Sequence, residues 1–290
     1  MPLAIQQENC RERILKSLSG LPPFSPTLNR VIASLANEDV SFSALSDLLE
    51  KDTVLAGNIL KVVNSALYGR SGTVNSVRHA VALLGVNKLR NTVLGMSITR
   101  MWAKVKTPGG WSTKSFNMHS VAVAVLGDLV AQRTGVLYPE GAFISGLMHD
   151  LGRLLIAIAA PEEYGEIMSL YAANAGALCD CERRVLGFDH PEISALALSA
   201  WNLPEQIQTA ARYHHQPNGD PTPAEAGLPQ LSYVVFAADN YVNSIGNFIQ
   251  PKSADLDAVS QEPFFQLAGG NSEIILRDFE AEYAAIHKFF

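Results

Sequence analysis

Apolar residues recur every three or four positions along most of this 290-residue chain, with polar caps, glycines and prolines between the runs. That spacing predicts an all-α fold. From Ser41, the segment SFSALSDLLEKD sets Phe42, Leu45, Leu48 and Leu49 on one helix face, with Ser41 or Ser43 available to cap the first N–H groups. A second helix follows from Thr53 with Leu55, Ile59, Val62, Val63 and Leu67, and stops at Tyr68-Gly69, where glycine permits the left-handed turn that ends helices. A short helix over 76–84 ends at Gly85, and Asn87 is placed to cap a longer one reaching Trp102. Helices this short need one another to form a core.

The stretch KTPGGW, 106–111, has the proline and paired glycines of a connection, and it divides the chain into two helical lobes, 1–108 and 109–290. Beyond it, SFNMHSVAVAVLGDLVAQRTG is rich in valine, but its length favours a buried helix over a strand. Pro139 opens the next helix, EGAFISGLMHDLGRLLIAIAA, which ends before Pro161. Further helices are expected over 162–174, 191–201, 204–213 and 229–245, then an irregular wrap over 251–270 and a last amphipathic segment over 273–290 that packs back onto the body.

With 48% hydrophobic residues the chain can fill a sizeable interior. Crossing a bilayer takes about 20 consecutive apolar residues. No such uninterrupted stretch occurs and the N-terminus has no signal-like hydrophobic segment, so a cytoplasmic protein without membrane partners is expected. A net charge of −6 argues against a broad surface for nucleic acid. Cys10, Cys179 and Cys181 are too few for a disulfide scaffold and lack zinc-site spacing, so the Cys179-Asp180-Cys181 triplet reads as incidental, with a redox pair as the alternative.

The chemistry lies in seven side chains: His119, His149, Asp150, His190, His214, His215 and Asp239. A histidine and an aspartate side by side in an apolar helix are costly unless both find partners, and a shared metal would supply them. Asp150 is the natural bridge, since a carboxylate offers two oxygens and an imidazole nitrogen only one lone pair. Arg153 lies one turn further on and projects over the same place, where it can clamp a phosphate. Each residue also has an ordinary explanation. His119 suits a hydrogen-bonded core histidine. His190 follows Asp189, which can cap a helix through Glu192, and His214-His215 ends a helix where cations are favoured. Asp239, in YVVFAADNYV, has no cation nearby in sequence and is harder to explain without a metal. It is the joint occurrence that points to a pair of divalent transition metals.

The order H … HD … H … HH … D resembles the HD superfamily of metal-dependent phosphohydrolases, an all-helical fold, and within it the binuclear branch that includes the HD-GYP cyclic-dinucleotide phosphodiesterases. KDTVLAGNILKVVNSALYG and VNSVRHAVALLGVNKLRNTVL resemble the HDOD domain, a signalling-output relative found with response regulators and other bacterial sensory modules; the likeness covers about residues 12–245. The resemblance implies an HD-type bundle around a binuclear site. His119, His149, Asp150 and Asp239 would hold one metal, and Asp150, His190, His214 and His215 the other. Asp150 and Arg153 would carry catalysis. Iron is the metal that the binuclear relatives favour, and the donors also suit manganese, nickel or zinc.

Three departures bear on activity. Arg153 stands where the phosphodiesterases carry lysine, no Gly-Tyr-Pro follows His215, and Ser115 replaces a glutamate that some relatives use for a third metal. The expectation is a signalling output domain with a real metal site, protein partners, and metal-dependent hydrolysis of a phosphomonoester or phosphodiester, a nucleotide among them. The alternatives are a non-catalytic interaction module in which the metals are structural, since many HDOD domains lack the full ligand set, and a di-iron oxygenase-like site.

Overall fold

Asp52 accepts a hydrogen bond from the Leu55 N–H at 3.0 Å, and Ser76 one from the His79 N–H at 3.1 Å, so two of the first helices begin at side-chain caps. The computed structural model describes residues 3–21, 24–33, 42–64, 74–223, 227–249 and 259–287. Ser41, Leu67 and Tyr68-Gly69 lie outside them. Among the described residues the regular structure is entirely helical.

The first half holds α1 (Leu3–Lys16), α2 (Pro26–Ala33), α3 (Phe42–Glu50), α4 (Thr53–Val63), α5 (Val77–Leu84) and α6 (Val86–Trp102). The connection over 106–111 leads to α7 (Thr113–Thr134), α8 (Ala142–Met148), α9 (Leu151–Ala159), α10 (Pro161–Ala172), α11 (Leu178–Leu186), α12 (His190–Ala200), α13 (Glu205–Tyr213) and α14 (Leu231–Ser244). Two more, α15 (Glu262–Ala268) and α16 (Ser272–His287), close the described chain. The valine-rich segment is the buried helix α7, the central element, against which α8, α14 and α16 pack.

Several expectations are corrected. Gly85, not Asn87, stands at the start of α6, and Asn87 lies within its first turn. The stretch over 251–270 is not all irregular, because α15 forms within it, with Phe264 buried against Tyr241. The helices α1, α2 and α11 are additions to the elements expected from the sequence. α1 packs across α9, α11 and α12, and its Arg11 pairs with Glu192 of α12 and its Arg13 with Glu163 of α10.

The most consequential correction concerns 139–159. Pro139–Gly141 is a single 3₁₀ turn, and the helix after it breaks at His149-Asp150, where Asp150 adopts φ −97°, ψ 12°. This is the bridge region that active-site residues often occupy. The span Pro139–Ala159 is long and apolar enough to cross a membrane, yet 83% of its apolar window is buried inside the fold. Its hydrophobicity goes into packing around the break.

Away from that break, α16 packs on α7 and is tied to α6 by Lys88 and Glu282, 2.6 Å apart, with Asp128 of α7 close by. Burial, reinforced by Glu282, pushes the Asp128 carboxyl up to about 6, against the hydrogen bonds of Asn91 and Gln132. The unfolded carboxyl ionises near pH 4, so ionisation destabilises the fold as pH rises from about 4 to 6, and the cost is fully present above that. Asp128→Asn is therefore expected to stabilise the protein by on the order of 2 kcal/mol at about pH 7.5, with the gain gone near pH 4. Urea midpoints at the two pH values would show it, and equal shifts at both would contradict it.

Candidate metal centre

Six helices converge on the break in 139–159. His119 comes from the middle of α7, His149 and Asp150 from the turn between α8 and α9, and His190 from the first turn of α12. His214 and His215 follow α13, and Asp239 lies in the middle of α14. Two close approaches make this possible. A Cβ on Gly146 would sit 2.8 Å from the Ala124 Cα and N, and one on Gly152 would sit 2.1 Å from the His190 carbonyl oxygen. Hydrogen in place of a side chain lets α8 lie on α7, and α9 on α12. The Gly152 N–H also donates to Ser194 Oγ at 2.8 Å. At the head of α12, Asp189 accepts from the Glu192 N–H at 3.1 Å, as the capping pattern predicts, and also from Arg212 at 3.0 Å.

The two oxygens of Asp150 face different partners. Oδ2 lies 3.4 Å from His149 Nε2 and 3.9 Å from His119 Nε2, and Oδ1 lies 3.0 Å from His190 Nε2 and 3.7 Å from His214 Nε2. Asp239 joins the first group, its Oδ1 3.1 Å from His119 Nε2 and 3.9 Å from His149 Nε2. His215 joins the second, with Nε2 3.2 Å from His190 Nε2. His215 is the exposed member; His119, His149, Asp150, His190, His214 and Asp239 are buried.

Behind four of the rings stands a fixed acceptor. His119 Nδ1 meets the Asn247 carbonyl at 2.8 Å, His149 Nδ1 the Gly146 carbonyl at 2.8 Å, and His214 Nδ1 the Ala211 carbonyl at 2.7 Å. His190 Nδ1 meets a carboxylate, Glu182 Oε2, at 2.7 Å. An acceptor at Nδ1 holds the proton there and leaves the Nε2 lone pair facing the cluster, the arrangement that metal-binding histidines show. Nε2 of His119, His149 and His214, and Oδ1 of Asp150, are buried without a hydrogen-bond partner. Buried lone pairs facing one another are costly unless a cation lies between them.

The charges agree with this. Burial alone would raise the Asp150 carboxyl, but His149 and Arg153 outweigh it and hold it well below the usual carboxylate range. Asp239 is likewise lowered, burial being outweighed by His119. Burial pulls His149 down, yet Asp150 leaves it net raised, and for His190 Glu182 does the same more strongly. Where protons stand in for cations, a divalent ion can replace them. The histidine and aspartate clusters thus fit a divalent metal.

The HDOD domain family matches residues 21–217, two thirds of the chain and every candidate donor except Asp239. The chain belongs to the HDOD family. Among solved structures, this HDOD protein is similar to an HDOD domain protein with unknown function from Geobacter sulfurreducens, at 25% identity and TM-score 0.76, covering 98% of this chain and 99% of that one. It shares its fold with a candidate phosphohydrolase from Shewanella amazonensis, at 23% identity and TM-score 0.71, over 96% and 97% of the two chains. It is also 25% identical over 225 residues to an uncharacterized protein from Treponema pallidum (strain Nichols), covering 77% of this chain and 42% of that protein, so it spans less than half the length of that curated relative.

The HDOD site includes residues that sequence reasoning missed. Glu182 is buried and receives both the backbone N–H of His190, at 2.8 Å, and its ring. Its signal was present, since Leu178, Glu182 and Leu186 fall at four-residue steps along the buried face of α11, where an acid is out of place. Cys179, read as incidental, has its Sγ 3.8 Å from His190 Nδ1. Neither Cys179 nor Cys181 is in a disulfide. Asn243 donates to Asp239 Oδ1 at 2.7 Å. Arg153 donates to Asp150 Oδ2 at 3.0 Å, and Ser115 is tied to Ser112 at 2.8 Å in the cap of α7. A cleft of about 340 Å³ leads to the site, with Asp150, Arg153, His215 and Asp239 in its walls.

Proposed function

We propose that this HDOD domain holds two divalent transition metals, iron favoured, and hydrolyses phosphoesters as the output of a signalling system with protein partners. His119, His149 and Asp239 would hold one ion, and His190, His214 and His215 the other, with Asp150 between them. One observation carries this assignment: the two oxygens of a single buried carboxylate face two separate imidazole pairs, 3.4 and 3.9 Å away on one side and 3.0 and 3.7 Å on the other. Bound there, a metal pair would supply Lewis acidity and bring the pKa of a water toward neutrality.

The chain's own groups do the rest. Arg153 lines the cleft beside Asp150 and presents a fork of donors suited to a phosphate. His215, exposed in the wall of the same cleft, is the imidazole of its half that an entering substrate reaches. Backbone carbonyls and Glu182 fix the imidazoles before any ligand arrives, so little reorganisation is left for binding. The open approach favours catalysis over a purely structural role, because structural metal sites are closed and catalytic ones keep a position free.

Protein purified without a nickel column should contain about two transition-metal ions per chain and turn over a phosphomonoester or a phosphodiester in a substrate screen. Saturating metal, at about 100 times Kd, should stabilise the fold by roughly 2.7 kcal/mol per site. Full metal occupancy with no phosphoester turned over under any divalent ion, together with a lowered Tm on chelation, would make the metals structural. Absence of bound metal would end the proposal.

A further inference from the structure

The halves of the centre differ in what already satisfies them. On the His119 side, Asp150 Oδ2 receives the Arg153 guanidinium at 3.0 Å and Asp239 Oδ1 receives the Asn243 amide at 2.7 Å. A cation entering there must share these oxygens with donors in place. On the His190 side, Asp150 Oδ1 has no hydrogen-bond donor, and His190 Nε2, His215 Nε2 and that oxygen crowd within 3.2 Å of His190 with at most one proton among them. Buried polar atoms without a hydrogen-bond partner stand on both sides, His119 and His149 Nε2 on one and His214 Nε2 and Asp150 Oδ1 on the other, so the halves differ in the donors that an entering cation must displace.

The support behind the rings differs as well. His119, His149 and His214 lean on neutral backbone carbonyls, whereas His190 alone leans on a buried carboxylate. A carboxylate accepting from Nδ1–H makes Nε2 a stronger donor, and losing such a partner typically lowers metal affinity by about 10- to 100-fold. Glu182 is fixed in turn by the His190 N–H and cannot swing away without breaking that bond as well.

From this asymmetry, and resting on the binuclear assignment above, we infer that the two halves fill in order, the His190 half first and more tightly, with Glu182 as the positioning residue that sets the difference. Donor type points the same way. The His190 half is richer in imidazole, which suits zinc, iron and nickel, and the His119 half is richer in carboxylate, which suits harder ions such as manganese.

The test is calorimetric titration of the metal-stripped full chain with Zn²⁺ alone. The expected result is two resolved steps for the wild type. Glu182→Gln should weaken the tighter step about 10- to 100-fold and leave the weaker one in place. His119→Ala should keep the tighter step and lose the weaker. Two equal or inseparable sites would overturn the order, as would a tighter step unmoved by Glu182→Gln or lost in His119→Ala, while leaving the binuclear assignment standing. No Zn²⁺ bound by the wild type would overturn both. If Glu182→Gln does not fold, as judged by circular dichroism, the wild-type and His119→Ala titrations decide the order on their own.

Discussion

Asp150→Ala should release both metals and abolish phosphoester turnover while the helical content persists. The carboxylate is the one group that faces both imidazole pairs, so its removal deletes a donor from each half. A loss of at least about 10²-fold in turnover is expected, comparable to removing a single preorganised electrostatic group from an active site. The fold also loses the buried counter-charge that Asp150 gives to Arg153 and His149. Breaking such a pair costs about 3–5 kcal/mol, reduced here because Oδ1, which has no partner, goes with it. Elemental analysis, circular dichroism and turnover on one preparation check all three expectations. Full metal content or unchanged turnover in a folded variant would remove Asp150 from the bridging role.

Gly152→Ala should damage the same site without touching any donor. Its Cβ would fall 2.1 Å from the His190 carbonyl oxygen and 2.9 Å from both the His190 carbonyl carbon and the Ser194 nitrogen. These are backbone atoms and cannot rotate aside, so α9 and α12 must part. Overpacking of this kind typically costs about 1–3 kcal/mol. The Gly152 N–H bond to Ser194 is strained with it. His190 moves with α12, away from Asp150 Oδ1, and the tighter metal step should weaken alongside the urea midpoint. A variant as stable as the wild type with unchanged metal affinity would show that the approach of the two helices is not what sets the site.

Much of the fold was legible because helical amphipathicity is a local property. The length of the valine-rich segment marks it as a helix, and α7 spans Thr113–Thr134 with 14 of its 22 positions buried. Asp52, Ser76 and Asp189 cap where short polar side chains precede apolar runs. The break at Asp150 was not legible, because LMHDLGRL is an unbroken helical pattern and only packing against α7 and α12 bends it. Nor was α15, whose few apolar residues gain stability by burial against α14 and α7 rather than from propensity.

Residue type alone brought the seven candidate donors into view, since buried imidazoles and acids must have partners wherever the chain puts them. Sequence could name the groups in need of a cation, but not which group meets which. The division of Asp150 between two imidazole pairs, the carboxylate of Glu182 behind His190 and the amide of Asn243 on Asp239 arise between elements far apart along the chain. Such contacts depend on distances of a few ångströms, and those are set by how helices stack at glycines such as Gly146 and Gly152. Hydrophobic periodicity fixes which face of a helix turns inward, and only close packing in three dimensions fixes what that face touches.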